Sequence, residues 1–216
     1  MITSNKLENI SQYDSLPISS TVVSDVLADY KYVRNKMASM VNNGELIRLK
    51  NGLFIVSDKI TNREVPKELI ANHLYGPSYV SLETALFYYG LIPERVEQIM
   101  SMSLKHSNMY KNLIGTFCYI YAFPDYYPIG IRQVQREKVV FMIASPEKAL
   151  CDLIVTRPYL RIQSDKAMRA FLEEDIRIDF DAVQRWDLDI IRQCVKYGKK
   201  KRELSLLLNY LQKDEK

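Results

Sequence analysis

The chain has few of the residues on which most site chemistry is built. It carries two histidines, His73 and His106, and three scattered cysteines, Cys118, Cys151 and Cys194. His106 has no cysteine or carboxylate at ligand spacing, and His73 falls within a helical pattern, where packing or surface exposure is the simpler role. An odd number of cysteines without zinc spacing points to a reducing compartment and no disulfide frame. The seven glycines form no phosphate-cradling loop. Glu147 and Asp152 stand five apart, so they do not share a helix face as paired carboxylates would. The expectation is no enzyme, no cofactor and no metal. No apolar run approaches the roughly 18 residues of a membrane span, and no signal-peptide core opens the chain. A cytoplasmic protein without membrane contact is expected.

What is present is an ordinary globular composition, 47% hydrophobic, with a formal net charge of +4. Its mildly basic balance permits a nucleic-acid partner without demanding one. The stretch from Ser19 to Val56 organises the rest. It reads as helix, turn, helix and a two-stranded hairpin. Val22, Val23, Val26 and Leu27 form the buried side of the first helix, capped by Ser19 or Ser20. In the second, Val33, Met37, Met40 and Val41 recur at helical spacing and form one apolar stripe. The opposite face is centred on Lys31, Asn35, Ser39 and Asn42, flanked by Arg34 and Lys36. These residue types read DNA. Asn grips adenine with two hydrogen bonds, and Lys and Arg reach guanine or phosphate.

Asn43-Gly44 is a stop signal for that helix. Asn51-Gly52 between two apolar runs is a strong hairpin signal. A two-residue loop sets Leu49 opposite Phe54 and Ile47 opposite Val56, leaving one apolar face to bury. Arg48 and Lys50 then point away beside the tip, as on a wing. From Lys31 to Lys50 five basic residues stand against one acid, Glu45. Such a module also serves as a protein-protein adaptor in some settings, and that is the rival reading.

Met1 to Ser15, with Leu7 and Ile10, reads as a first helix. Ser57 to Arg63 is polar and reads as a linker. Helices are expected from Pro66 to Leu74 and from Leu82 to Tyr89. Val96–Ser103, Gly115–Phe123, Ile131–Glu137 and Lys138–Ala144 read as three or four strands of a small sheet. Ser145-Pro146-Glu147 starts a helix that runs to about Val155, with Cys151 at the edge of its stripe. Helical patterns fill 167–174, 180–186, 188–197 and 202–211. Fifteen tyrosines suggest broad, half-polar packing surfaces. Lys196, Lys199, Lys200, Lys201 and Arg202 put five cations into seven residues around Gly198. They serve as a solvated helix end, as phosphate contacts or as a dock for an acidic partner.

Three stretches in order carry a resemblance. They are Asn43-Gly44-Glu45-Leu46-Ile47-Arg48-Leu49-Lys50-Asn51-Gly52-Leu53-Phe54; Tyr79-Val80-Ser81-Leu82-Glu83-Thr84-Ala85-Leu86 with Tyr89-Gly90-Leu91; and Ala144-Ser145-Pro146-Glu147-Lys148-Ala149-Leu150-Cys151-Asp152-Leu153. Together they resemble the AbiEi family, the antitoxin half of type IV toxin-antitoxin (abortive infection) pairs. The resemblance implies a repressor of its own operon, whose second domain counters a toxin similar to nucleotidyltransferases. The expected fold is α+β: a winged helix-turn-helix over residues 1–58, then a mixed domain with a small sheet and a helical C-terminus over 64–216. The expected partners are double-stranded DNA and, through the resemblance, that toxin. The expected DNA contacts are Lys31, Arg34, Asn35, Lys36, Ser39, Asn42, Arg48 and Lys50.

Overall fold

The computed structural model describes residues 10–14, 16–94, 96–183 and 186–214. The architecture is mixed α+β with a helical C-terminal end. Most of the expected first helix lies outside the described residues; Ile10 is buried in a small N-terminal core. The chain then forms β1 (Ile18–Ser19), α1 (Ser20–Val26), α2 (Val33–Asn42) and a hairpin of β2 (Leu46–Lys50) and β3 (Leu53–Val56). Ser19 caps α1 by accepting from the Val22 amide at 3.3 Å. Met40 of α2 is buried, with Val33, Met37 and Val41 packed beside it. The expected stripe therefore faces this core. Gly44 takes φ +71 just past α2, a conformation open to glycine without steric cost.

The hairpin departs from the expected register. Leu46 pairs with Val56, Ile47 with Ile55, Arg48 with Phe54 and Lys50 with Leu53, and the register shifts between Arg48 and Lys50. Leu49 is thus the extra residue of a bulge, and it does not face Phe54. The cause lies in the turn. Gly52 takes φ +75 while Asn51 does not adopt positive φ. The doubly left-handed turn, whose twist matches the strands unaided, is therefore not formed. The bulge adds local twist and swings Leu49 aside. Leu46, Phe54 and Val56 enter the small core, and Leu49 and Ile55 enter a larger one. The hairpin buries two faces rather than one.

The polar stretch after it is folded rather than a loose linker. Buried Ser57 caps a four-residue helix, α3 (Asp58–Thr61), closed by Asn62 in the left-handed region. There follow α4 (Lys67–Leu74), β4 (Ser78–Val80), α5 (Leu82–Tyr88), β5 (Gln98–Ser103), β6 (Asn108–Lys111), β7 (Thr116–Tyr121), β8 (Ile131–Arg136) and β9 (Val139–Ala144). The sheet order is β6-β7-β5-β4-β9-β8. The four strands read from the sequence are present, and β4 and β6 make it six. Three or four residues are too few to show an alternation.

Register fixes which side of the sheet each residue faces. Tyr79, Met102 and Ile120 form one cross-strand row, and Val80, Ser101 and Tyr119 the next, on the opposite face. Tyr119 donates to the Ala71 carbonyl of α4 at 2.7 Å. Tyr79 reaches Asp152 of α6 (Pro146–Thr156) on the other side. The sheet is thus a middle layer between α4 and α6. Ser145 caps α6 by accepting from the Lys148 amide, as expected. Then come α7 (Asp165–Ala170), continued by a π-helical turn at Phe171–Asp175, α8 (Leu188–Tyr197) and α9 (Lys201–Asp214). Of the helix expected over 180–186, residues 184 and 185 lie outside the described residues, and the described part is a 3-10 turn, Phe180–Ala182. Among the described residues no helix is long and apolar enough to cross a membrane.

Several of the tyrosines are interior. Burial pushes the Tyr79, Tyr119 and Tyr126 hydroxyls well above their usual range, and Tyr89 up to about 12. Each is raised in the fold, so its stabilising effect is complete below the unfolded value near 10 and is lost as pH climbs toward the folded one. Urea midpoints should begin to fall near pH 9, where the Cys151 thiol, also raised by burial, would ionise in the unfolded chain, and should fall steeply beyond about pH 10. For each of the enclosed hydroxyls of Tyr79 and Tyr126 the slope is about 1.4 kcal/mol per pH unit. The Tyr126 hydroxyl has no hydrogen-bond partner among the described residues. Tyr126→Phe should therefore soften the alkaline slope without costing a bond; an unchanged slope would show that this hydroxyl is not what the alkaline limit reads.

Candidate nucleic-acid interface

The polar face of α2 is outward. Arg34, Asn35, Ser39 and Asn42 are all exposed, and Lys31 lies just ahead of the helix, also exposed. Their places follow from the stripe: with Val33, Met37, Met40 and Val41 packed inward, the residues between them turn to water. Ser24 of α1 donates to the Met37 sulfur at 3.6 Å, tying the two helices together. Lys31 lies 5.5 Å from the Tyr32 ring centre, and half-buried Lys36 lies 5.4 Å from that of Tyr30. Among the described residues, no hydrogen bond or ion pair engages the side chains of Arg34, Asn35, Ser39 or Asn42.

The two hairpin cations, expected side by side, are separated. Arg48 is exposed, with its guanidinium 5.5 Å above the Phe54 ring. Lys50 turns to the second unit instead. Its ammonium donates to the Leu74 carbonyl at the end of α4 at 2.5 Å and sits 5.8 Å from the Tyr110 ring centre. Burial, and then the charge of Lys105, hold the Lys50 pKa below the usual lysine range. Lys50 is therefore a bridge between units rather than an outward wing cation. The shifted register is the reason, since Arg48 and Lys50 no longer share a face.

The basic run divides in the same way. Lys200 donates to the Arg157 and Leu160 carbonyls, and its pKa is lowered by burial. Arg202 donates to the Gln163 carbonyl at 3.1 Å. These two cations hold the segment that follows α6. Lys196, Lys199 and Lys201 remain exposed. Lys199 lies 4.5 Å from the ring centre of Phe123, a neighbour that sequence spacing gave no reason to expect.

A second polar cluster lies wholly inside. Lys148 and Asp152 have no exposed side-chain surface, and the Lys148 ammonium stands 3.0 Å from Asp152 Oδ1. The other carboxylate oxygen accepts from the Ser81 hydroxyl at 2.6 Å and the Tyr79 hydroxyl at 3.1 Å. Lys148 also donates to the Tyr126 carbonyl at 3.1 Å and lies over that tyrosine's ring. Asp152 thus bonds across the fold, to Tyr79 and Ser81, as well as to Lys148 one turn back on its own helix. Glu147, expected as a helix-start charge, is buried as well and accepts from the Asp187 amide at 2.9 Å. The sequence signal for the pair was the i,i+4 spacing within an apolar helix. The order Lys then Asp is the weaker one on an exposed helix, and burial rather than helix electrostatics gives the pair its importance. This cluster joins the second and third motifs quoted above, and its two charged members have no access to solvent. It is a structural pin. Cys151 and Cys194 beside it are buried and free.

No protein-family model matches the chain, and no curated protein matches it either.

Removing one partner of a buried ion pair strands the other's charge. Asp152→Ala should cost about 3–5 kcal/mol in urea unfolding. The double change Lys148→Met with Asp152→Leu should cost well under the sum of the two single changes. Additive losses would mean the two groups do not act as a pair.

Proposed function

We propose that the first unit is a winged helix and that the protein is a DNA-binding transcriptional regulator, with α2 as the helix that enters the major groove. One observation carries this reading. Arg34, Asn35, Ser39 and Asn42 stand exposed and unengaged on one face of α2, opposite a stripe locked into a core. A helix needs such a face to reach base edges, because a side chain already bonded within the protein has no free donor or acceptor to offer. Asn35 at its centre suits adenine, and Arg34 and Lys31 suit guanine or phosphate. Arg48 on the hairpin adds a sequence-blind phosphate contact.

The rest of the proposal comes from the resemblance to the AbiEi family. The protein represses its own operon through α2 and the hairpin, and its second unit counters a nucleotidyltransferase-like toxin. A winged helix acting only as an adaptor is the rival that the DNA measurements separate.

Asn35→Ala should weaken binding to the protein's own upstream DNA by roughly 1–3 kcal/mol and leave random duplex nearly unaffected. Equal loss on both removes Asn35 from base reading. Titrations at several salt concentrations test the hairpin. Arg48→Ala should reduce the salt slope by about one unit. Lys50→Ala should leave the slope unchanged, since its ammonium is held by the Leu74 carbonyl. A full-length protein that binds neither duplex favours the adaptor.

A further inference from the structure

The exposed cations near the C-terminal end are interleaved with aromatic rings that are partly or, at Tyr159, almost wholly exposed. Phe123 and Tyr121, at the end of β7 and just beyond it, are both exposed and pack edge to face at 5.3 Å. Lys199 lies over Phe123, and Lys196 lies 4.9 Å from the ring centre of exposed Tyr197. Tyr159 is the extreme case, 97% exposed at φ +61. Its segment is not loose. Lys200 donates to the carbonyls on either side of it, at Arg157 and Leu160, and Arg202 donates to that of Gln163. Arg161, two residues on, is exposed. The patch is continuous through these contacts: Tyr121 to Phe123, Phe123 to Lys199, and the adjoining Lys200 to the Tyr159 segment. Asp125 is an exposed carboxylate in the turn after Phe123.

Large rings left in water beside cations call for a ligand with both flat apolar faces and negative charge. We propose that this surface binds single-stranded nucleic acid, with bases stacked on Phe123, Tyr159 and Tyr197 and the backbone held by Lys196, Lys199 and Arg161. An unpaired strand offers every base as a stacking face, whatever its identity, and a phosphate at each step. A duplex keeps its base faces inside the stack and would use the cations alone. An acidic peptide of carboxylates would meet the cations and offer the rings no flat face to stack on. The proposal is independent of α2, which lies on other elements.

Fluorescence anisotropy on the full-length protein tests it, with labelled oligo(dT) and oligo(U) of about 12 nucleotides and a random duplex as probes. Both single strands should bind, and the tighter of the two distinguishes a DNA from an RNA ligand. Phe123→Ala and Tyr159→Ala should each weaken single-strand binding by about tenfold. Tyr159→Phe should restore it, because the stacking face returns. Duplex affinity in the Tyr159 variants should stay within about twofold of the parent, because a duplex offers the rings no base face to stack on. Replacing Lys196 and Lys199 with Ala should lower the single-strand salt slope by about 1.4 units. Tyr159 is fully exposed, so its variants should keep the parent's thermal midpoint. The proposal is overturned if the parent binds neither oligonucleotide, or if both Ala variants bind single strands as the parent does. It is equally overturned if they lose single strand and duplex alike, or if an acidic peptide binds as tightly as the oligonucleotides and is indifferent to loss of the rings.

Discussion

A hairpin with apolar residues on both faces holds the two halves of the protein in one arrangement. Leu46, Phe54 and Val56 enter the core beneath α2, while Leu49 and Ile55 of the same two strands enter the core of the large sheet. Fully burying each such side chain is worth roughly 1.5–3 kcal/mol. Neither half can swing away without exposing one set or the other. Polar contacts follow the same seam. Asn112 donates to the Leu49 carbonyl at 3.1 Å, and Lys50 to that of Leu74. The outward face of α2 therefore has a fixed orientation relative to the large sheet.

The buried Lys148–Asp152 pair solves a different problem. Every residue from Pro146 to Ile154 in α6 is buried, polar ones included. A helix enclosed on all sides has no solvent face to fix its rotation or its level against the sheet. Apolar packing alone tolerates such slips, since volume and patterning suffice for collapse. A buried ion pair does not. Taking both charges out of water costs several kcal/mol per ion, and the cost is offset only where hydrogen bonds meet them. Tyr79 and Ser81 meet Asp152, and the Tyr126 carbonyl meets Lys148. Only one placement of α6 against β4 and the segment after β7 satisfies all of these at once.

How much of this was legible in the sequence depends on the range of the interaction. Helix starts and stripes are local, and several are legible. Ser19, one of the two serines offered for α1, makes the cap bond, Ser145 caps α6, and the α2 stripe ends before Gly44. Ser81, which the spacing also offers as a cap, makes no cap bond at α5 and gives its hydroxyl to Asp152 instead. The four longer strands showed their composition. β4 has only three residues, and its central place comes from partners on both sides, Ser101 on β5 and Ile143 on β9. No window of three residues carries that. The hairpin register failed for a finer reason. Asn-Gly is compatible with more than one turn; here Asn51 does not take positive φ, and the resulting bulge delivers Leu49 to the second core. Lys148 and Asp152 went unrecognised because their partners lie on β4 and beyond β7, far along the chain.

Charge was the least legible feature, and the reason is general. Counting from Lys31 to Lys50, or from Lys196 to Arg202, treats every cation as available to a phosphate. The structure sorts them by whether a backbone carbonyl lies within reach. Lys50, Lys200 and Arg202 each find one, at the end of α4 or along the segment after α6. Helix ends leave carbonyls without partners, and a long cationic side chain is a good way to satisfy them. A cation so engaged gives up its outward reach but fixes the loop it binds. Lys200 holds the segment that carries Tyr159, as Lys50 holds the hairpin that carries Arg48. The bonded cations thus act as scaffolding for the free ones, and the net charge of a basic run overstates its outward-reaching cations by the number of those held on carbonyls.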